Sequence, residues 1–213
     1  VDYIRVSGNR WVEDPDKRFE ATIDMRGPLI LLVNRALNAI KDDLPKGFKL
    51  RKGNLQADTP IELPNDALRE ALVNAFIHCS FRLNQPIQII RYSNRLEVIN
   101  PGFSLKSPET LGEPGSVQRN PFISTIFHDT NLAETKGSGI RSMRGHMRKA
   151  GMMPPTFESN RSANQFTARL LLHHLLDNDT IQWLAPYADY SLNNEQRLAL
   201  VFVREVGAID NIT

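Results

Sequence analysis

Polar and apolar residues alternate along Asp2-Tyr3-Ile4-Arg5-Val6 and again through Phe19, Ala21, Ile23 and Met25, so the chain is expected to begin with two short strands. Gly8, Asn9, Asp14, Pro15 and Asp16 give the stretch between them a loop composition. The period then changes. Leu29, Leu32, Val33, Ala36, Leu37 and Ile40 recur at helical spacing up to about Asp43, and Pro45 and Gly47 stop that helix. Residues 48–63 are mixed and extended in character, with turn signals at Gly53-Asn54 and Thr59-Pro60. Pro64-Asn65-Asp66 opens a second helix over about 65–80. Two alternating runs, Ile87/Ile89/Arg91 and Arg95/Glu97/Ile99, flank Ser93-Asn94 and predict a hairpin in which Arg95 and Glu97 face solvent.

Asn100-Pro101-Gly102 breaks the second of these strands, and residues 102–120 carry Gly102, Pro108, Gly112, Pro114 and Gly115 with little periodicity. A loop of that length inside a compact domain is usually functional or mobile. A short helix is expected from Pro121 to about His128, and another at about 139–150 between Gly137-Ser138-Gly139 and Gly151. Thr156-Phe157-Glu158 and Gln165 to Leu172 read as strands, with Phe166, Ala168, Leu170 and Leu172 on one face. Residues 175–193 are polar and turn-rich, as in a linker, and Asn194 to about Val206 forms an amphipathic helix without evident partners. The chain starts at Val1 rather than Met, and it stops in the middle of a helical pattern. A piece of a longer protein is therefore expected.

The 213 residues suffice for one ordinary domain or two small ones, and 41% hydrophobic with 23% charged residues is a globular composition. A net charge of +2 argues against nucleic-acid binding through bulk charge, though not against local basic patches. The single cysteine, Cys79, excludes an internal disulfide and a cysteine-based zinc site, and fits a reducing, cytoplasmic setting. No apolar run is long enough to span a membrane, and no signal peptide is visible. There is no His-Glu-x-x-His, no Gly-x-Ser-x-Gly and no Walker A sequence. His173 and His174 are adjacent on a strand and point to opposite faces, so they cannot chelate together.

The helix around 65–80 is apolar over most of its circumference. Ala67, Leu68, Ala71, Leu72, Ala75, Phe76 and Cys79 form one arc, and Val73 and Ile77 lie across a narrow strip made by Glu70, Asn74 and His78. A helix apolar on both sides of such a strip is expected to pack on both sides, where unpaired polar groups are costly. Glu70 and Asn74 then either look into a ligand pocket, where Asn supplies a hard oxygen to magnesium and Glu handles a water, or bond to neighbouring backbone and solvent. Gly137-Ser138-Gly139 at a helix start suits an anion or is a simple cap. Asn100 and Gly102 are either a plain strand end or an amide and a glycine beside a flat ligand. Asn120 with Pro121 has the pattern of a helix N-cap, and Arg119 beside it either reaches a phosphate or is solvated. Arg141, Arg144 and Arg148 share a helix face, next to Lys149, that is solvated or meets phosphate or an acidic partner.

In this order the pieces resemble the ATP-binding fold shared by DNA gyrase, histidine kinases and MutL. More closely, four stretches resemble the C-terminal ATPase-like, "RecG-like" domain of Schlafen/AlbA-type bacterial transcriptional regulators. They are Arg69-Glu70-Ala71-Leu72-Val73-Asn74-Ala75 with His78, Arg95 through Gly102, Arg119-Asn120-Pro121, and Glu134 through Ile140. The resemblance covers roughly residues 18–175 and implies an α+β fold: a two-layer α/β sandwich with a mixed sheet and helices on one face. It implies residues 1–17 as the end of a preceding domain and linker, 176–193 as a linker, and 194–213 as the start of a winged helix.

By the same resemblance Glu70 is the general base, Asn74 the magnesium ligand, and Asn100 and Gly102 the adenine contacts. The loop Gly137, Ser138 and Gly139 serves the phosphates, and Arg119, read above as a phosphate contact or a solvated side chain, is counted with the cofactor-binding residues. Asn100 stands where the wider superfamily has Asp. ATP and Mg2+ are the implied cofactors, and DNA is the partner through flanking domains; a homodimer is compatible, a membrane is not. The implied role is a nucleotide-responsive regulatory module. A weak ATPase activity is left open, and a helicase is not, since no helicase motif is present. The alternative is a degenerate scaffold that joins or dimerises DNA-binding domains. Glu70, Asn74, Asn100, Gly102 and Gly139 are expected to line one cleft.

Overall fold

The computed structural model describes residues 1–11, 19–44, 49–50, 57–58, 63–115, 117–133, 139–172, 182–190 and 192–206, with backbone alone at 49–50, 57–58, 188–189 and 194–195. Six strands make one mixed sheet: β1 (Asp2–Arg5), β2 (Ala21–Asp24), β5 (Gln88–Arg91), β6 (Arg95–Pro101), β7 (Thr156–Asn160) and β8 (Gln165–Leu171), in the order β2-β1-β5-β6-β8-β7. β1 pairs with β5 in parallel and every other pair is antiparallel. A separate two-stranded ladder joins β3 (Lys49–Leu50) and β4 (Ala57–Asp58). The helices are α1 (Leu29–Asp43), α2 (Asn65–His78), α3 (Pro121–Asp129), α4 (Gly139–Lys149) and α5 (Asn194–Val206).

Helices α1, α2 and α4 cover one face of the sheet, and α3 packs on α2. Their apolar stripes meet Tyr3, Ile89, Leu96, Val98, Phe157, Ala168 and Leu170, one residue in two along each strand. This is the two-layer α/β sandwich that the resemblance implies. α2 lies in the middle of the helical layer, and eight of its fourteen residues are buried. Its polar strip, Glu70, Asn74 and His78, is half-buried. Burial on both sides of that strip explains why the helix has apolar residues almost all round.

Residues 2–5 lie within the sheet, between β2 and β5, although the sequence division assigns them to the end of a preceding domain. The Val1 amine donates to Met25 O at 2.9 Å. At the other end, α5 does find apolar partners. Val201 is buried against Met153 and Leu171, with Trp183, Leu184, Leu198 and Phe202 around them. Leu171 alternates to the face away from the α1–α4 layer, so α5 sits at a corner of the sheet and outside the main core. Asn94 Nδ2 donates to both the backbone carbonyl (2.8 Å) and the side chain (2.7 Å) of Glu205, pinning α5 to the β5–β6 turn. His173 and His174, Gly53-Asn54 and Thr59-Pro60 lie outside the described residues.

The alternation of β6 is as expected, but Arg95 and Glu97 do not face solvent: each is only 7% exposed. Arg95 stacks over the Tyr92 ring at 3.8 Å and donates to Asn9 O at 2.7 Å. One carboxylate oxygen of Glu97 accepts from Arg95 Nε at 2.7 Å and from Arg169 Nε at 3.0 Å. Arg169 also bonds Glu158. The outer face of the sheet is thus held by a charge network spanning β6, β8 and β7. Removing its central carboxylate leaves two guanidinium groups without their shared partner. Glu97→Ala is expected to lower folding stability by about 3 kcal/mol, read as a shift of the urea midpoint at constant m-value.

Candidate functional site

An α-helix leaves its last carbonyls without partners, and α2 ends where water does not readily reach them. Two consecutive side chains from a loop forty residues downstream supply the donors. Asn120 Nδ2 donates to Ile77 O at 2.9 Å and to Cys79 O at 2.7 Å. Arg119 Nε donates to His78 O at 3.0 Å, and its Nη2 donates to Phe103 O at 2.7 Å. Asn120 does hold the N-cap position of α3, with Pro121 first in the helix, but its side chain does not cap α3. It serves the C-terminus of α2 instead.

The same clamp sets the strand break. Ser80 N donates to Pro101 O at 2.7 Å, and Gly102 N donates to Asn164 O at 2.7 Å. Gly102 has φ +102°, and a Cβ there would sit 3.1 Å from both Arg119 Nε and Ser80 Cβ. Both backbone and space therefore demand glycine. From Gly102 the chain runs outward as a loop tied to the β7–β8 end by Ser104 N to Ser159 Oγ at 2.9 Å and Phe103 N to Asn164 Oδ1 at 3.3 Å.

Between α2, α4, the sheet and this loop lies a cavity of about 130 Å³. Its floor is Val98, Asn100 and Ala168. Asn74, Ala71 and His78 of α2 form one wall, and Gly139, Ile140 and Met143 of α4 another. Phe157, Phe166 and the loop from Gly102 to Val117, with Lys106 at its rim, complete it. The lining is largely apolar with a few convergent polar groups, the common character of a small-molecule site.

Of the residues named from the sequence, Asn74, Asn100, Gly102 and Gly139 line this one cavity. Glu70 is adjacent: its Oε1 accepts from Asn74 Nδ2 at 3.0 Å. Gly139, the first residue of α4, packs on both. A Cβ at Gly139 would overlap the Glu70 carboxylate and lie 2.9 Å from Asn74 Nδ2. Gly137 and Ser138 lie outside the described residues. Arg119 is not in the cavity wall; its guanidinium serves carbonyls of α2 and of the loop.

Two wall residues carry no role in the sequence reading. His78 is the third member of the α2 strip, and its i+8 spacing from Glu70 was the signal. Lys106 is the single lysine of the glycine- and proline-rich loop, and its Nζ donates to Glu113 O at 2.8 Å.

Two carboxamides at the cavity, Asn74 and Asn100, have defined orientations. Asn74 directs Nδ2 to Glu70, which leaves Oδ1 as its acceptor toward the cavity. Asn100 is 2% exposed and directs Nδ2 to Pro101 O at 3.2 Å and Gly102 O at 3.4 Å, which again leaves Oδ1 as the outward acceptor. Burial, with the positive Arg119 behind it, holds the His78 imidazole neutral down to about 4. Burial pushes the Cys79 thiol up to about 11, so it is an inert packing group. Among the described residues no cluster of three or more His, Cys, Asp or Glu side chains is placed to hold a metal. Asn74 Oδ1 at the cavity wall is a hard-oxygen donor of the kind that completes a largely water- and phosphate-bound Mg2+.

Residues 84–170 match the protein family described as "Putative ATP-dependent DNA helicase recG C-terminal". This stretch runs from just before the β5–β6 hairpin to the end of β8, and the match supports an ATPase-like domain. No curated protein matches the sequence. Among solved structures the chain is similar to the DIP2311 protein from Corynebacterium diphtheriae, at 19% identity and a TM-score of 0.67. That likeness, which concerns the fold, covers 82% of this chain and 35% of that one, so the chain spans about a third of that protein's length. No described helix is long and apolar enough to cross a membrane.

Two consequences can be measured. An Asn that caps a helix N-terminus tolerates Asp, but Asn120 acts as a double donor to carbonyls, and Asp has no donor to offer. Asn120→Asp is therefore expected to destabilise by about 2 kcal/mol in urea unfolding, and by at least as much as Asn120→Ala. For His78, the unfolded chain takes a proton near 6.5 while the folded chain refuses it until about 4. The unfolded state then binds more protons across that window, so stability falls as pH drops from 6.5 toward 4 and is level above it. His78→Gln should flatten this part of the stability–pH profile relative to wild type.

Proposed function

We propose that this chain is the nucleotide-responsive regulatory module of a bacterial, cytoplasmic DNA-binding transcriptional regulator, with ATP as the nucleotide and Mg2+ as its companion ion. The observation that carries the reading is Asn100: a buried carboxamide lining the cavity, with its donor already engaged by Pro101 and Gly102. A buried acceptor left facing a cavity calls for a donor there. The exocyclic amino group of adenine supplies one; guanine offers a carbonyl at the same place and is disfavoured. The amide oxygen thus takes the part of the carboxylate of the wider superfamily. A cavity of about 130 Å³ is of the order that admits a flat ring system, with Val98, Ala168 and Phe166 as apolar walls.

In this reading Asn74 Oδ1 holds Mg2+, Glu70 keeps Asn74 in that orientation and is the base for any hydrolysis, and Gly139 brings the start of α4 to the same corner. Magnesium, when bound, neutralises phosphate charge. Lys106, whose Nζ donates to Glu113 O, adds a cation for a phosphate chain. Gly139 lies directly on Glu70, which leaves little room for an attacking water and favours binding over turnover. Arg119 acts by fixing the wall rather than by touching phosphate. DNA is contacted through flanking segments, a Schlafen/AlbA-type domain before the chain and a winged helix that α5 opens.

A degenerate scaffold is the second reading, favoured by the tight seat of Gly139 on Glu70 and Asn74. The exposed Phe122 (85%) and Ile126 (53%), one turn apart on α3, would be its dimer contact.

Titration calorimetry with ATP, ADP and GTP, with and without Mg2+, separates the two. Heat with ATP and little with GTP is expected. Asn100→Leu should weaken ATP by more than about tenfold (about 1.4 kcal/mol). Asn74→Ala should remove the Mg2+-dependent increment, and Glu70→Gln should keep binding while abolishing any phosphate release. No heat with millimolar ATP in either condition leaves the scaffold.

A further inference from the structure

We infer that the outer face of α4 binds the phosphate backbone of a nucleic acid. Arg141, Arg144, Arg148 and Lys149 are all exposed and lie within one helical face, while Ile140, Met143 and Met147 point inward. The eleven residues of α4 contain no Asp or Glu. Among the described residues none of these four cations pairs with a carboxylate. Asp66 is held by Arg69 at 3.0 Å and stands 3.9 Å from His146, and the Glu70 carboxylate, which lies on Gly139 at the start of α4, accepts from Asn74.

This is not how a merely solvated helix face is built. Arg141 lies in the first turn, where the helix dipole favours an acid. Arg144 and Arg148 are four apart and repel each other. Gly145 lies in the helix interior, where glycine is unfavourable, yet nothing comes within 4 Å of the place its Cβ would occupy. No described neighbour requires that glycine. On the helical projection it falls between Arg141, Arg148 and Lys149, so it opens a gap in the middle of the cationic face. Arg144 also lies over the Phe157 ring at 5.9 Å, but among the described residues no carboxylate offsets these three departures from helix preference on one face, which point to a partner outside the chain.

The partner's chemistry follows from the residues. Guanidinium groups prevail, with the fork that matches phosphate oxygens. From Arg141 to Arg148 is about 10 Å along the helix axis, close to the axial rise of about three nucleotides at 3.4 Å each. A bare glycine allows a backbone to approach closely. No large apolar residue of α4 is exposed, which argues against insertion into a lipid surface. The inference does not depend on nucleotide in the cavity and is tested without it.

The probe is a short fluorescein-labelled duplex of arbitrary sequence, titrated with the 213-residue chain between about 50 and 200 mM salt and read by anisotropy. Wild type should bind at low salt with a steep salt dependence. The Arg141→Gln/Arg148→Gln/Lys149→Gln variant, which changes only exposed side chains and spares Arg144 beside the cavity rim, should bind at least about tenfold more weakly. Its slope of log K against log salt should be shallower by about 0.9 for each charge removed. Gly145→Leu should melt no lower than wild type, since helix propensity improves, and should still weaken the duplex by filling the gap. A wild-type chain that fails to bind at 50 mM salt overturns the inference. So does a triple variant with unchanged affinity and slope, or equal binding of wild type to polyglutamate or to phosphatidylserine vesicles.

Discussion

Helix α2 ends inside the protein, and the donors for its last carbonyls come from Arg119 and Asn120. Much of the site follows from that single requirement. Because the donors sit just before α3, the chain between Gly102 and Arg119 has to leave the sheet and return to the end of the same helix. It thereby forms the outer wall of the cavity. Because Arg119 also holds Phe103 O, the two ends of that wall are tied together. The contact is so close that the residue at 102 can have no side chain. A helix terminus that solvent could have satisfied would have left this loop free to lie elsewhere.

The regular elements were legible because their periods are local. The Leu29–Asp43 stripe, the hairpin around Ser93-Asn94 and the alternation in Gln165–Leu171 each follow from residues within a few positions of one another. What depends on distant partners was not. Arg95 and Glu97 carry the signature of a wet strand face, and only the arrival of Arg169, Tyr92 and Asn9 allows them to be buried. Asn120 was placed at the right helix start but serves a different helix, because a side-chain amide both donates and accepts and sequence does not say which is used. α5 looked unpartnered because Met153 and Leu171 are about 50 and 30 residues away in sequence and belong to a separate, smaller cluster.

The candidate site was legible in outline for another reason. A narrow polar strip on a helix otherwise apolar all round has few explanations, and Glu70, Asn74 and His78 do border one cavity or its edge. The residues that close the cavity from the far side, Lys106 and Phe103 among them, carry no periodic signal, since loops have none. Arg119, close to a glycine-rich stretch in sequence, donates here to the carbonyls of His78 and Phe103. A guanidinium satisfies carbonyls as readily as anions, and the nearest buried acceptors decide.

Helix α4 has two working sides. Its inner side carries Gly139, Ile140 and Met143 to the cavity, and its outer side carries the arginines. The two sides belong to one rigid rod about 16 Å long, so any shift of the helix start on Glu70 and Asn74 also moves the cationic face. If occupants of the two sides prefer different positions of this rod, their binding free energies are linked. The linkage is reciprocal: the factor by which one changes the affinity of the other is returned unchanged. Under the two proposals made above, nucleotide and nucleic acid would meet opposite sides of a single helix, and no hinge between them would be needed.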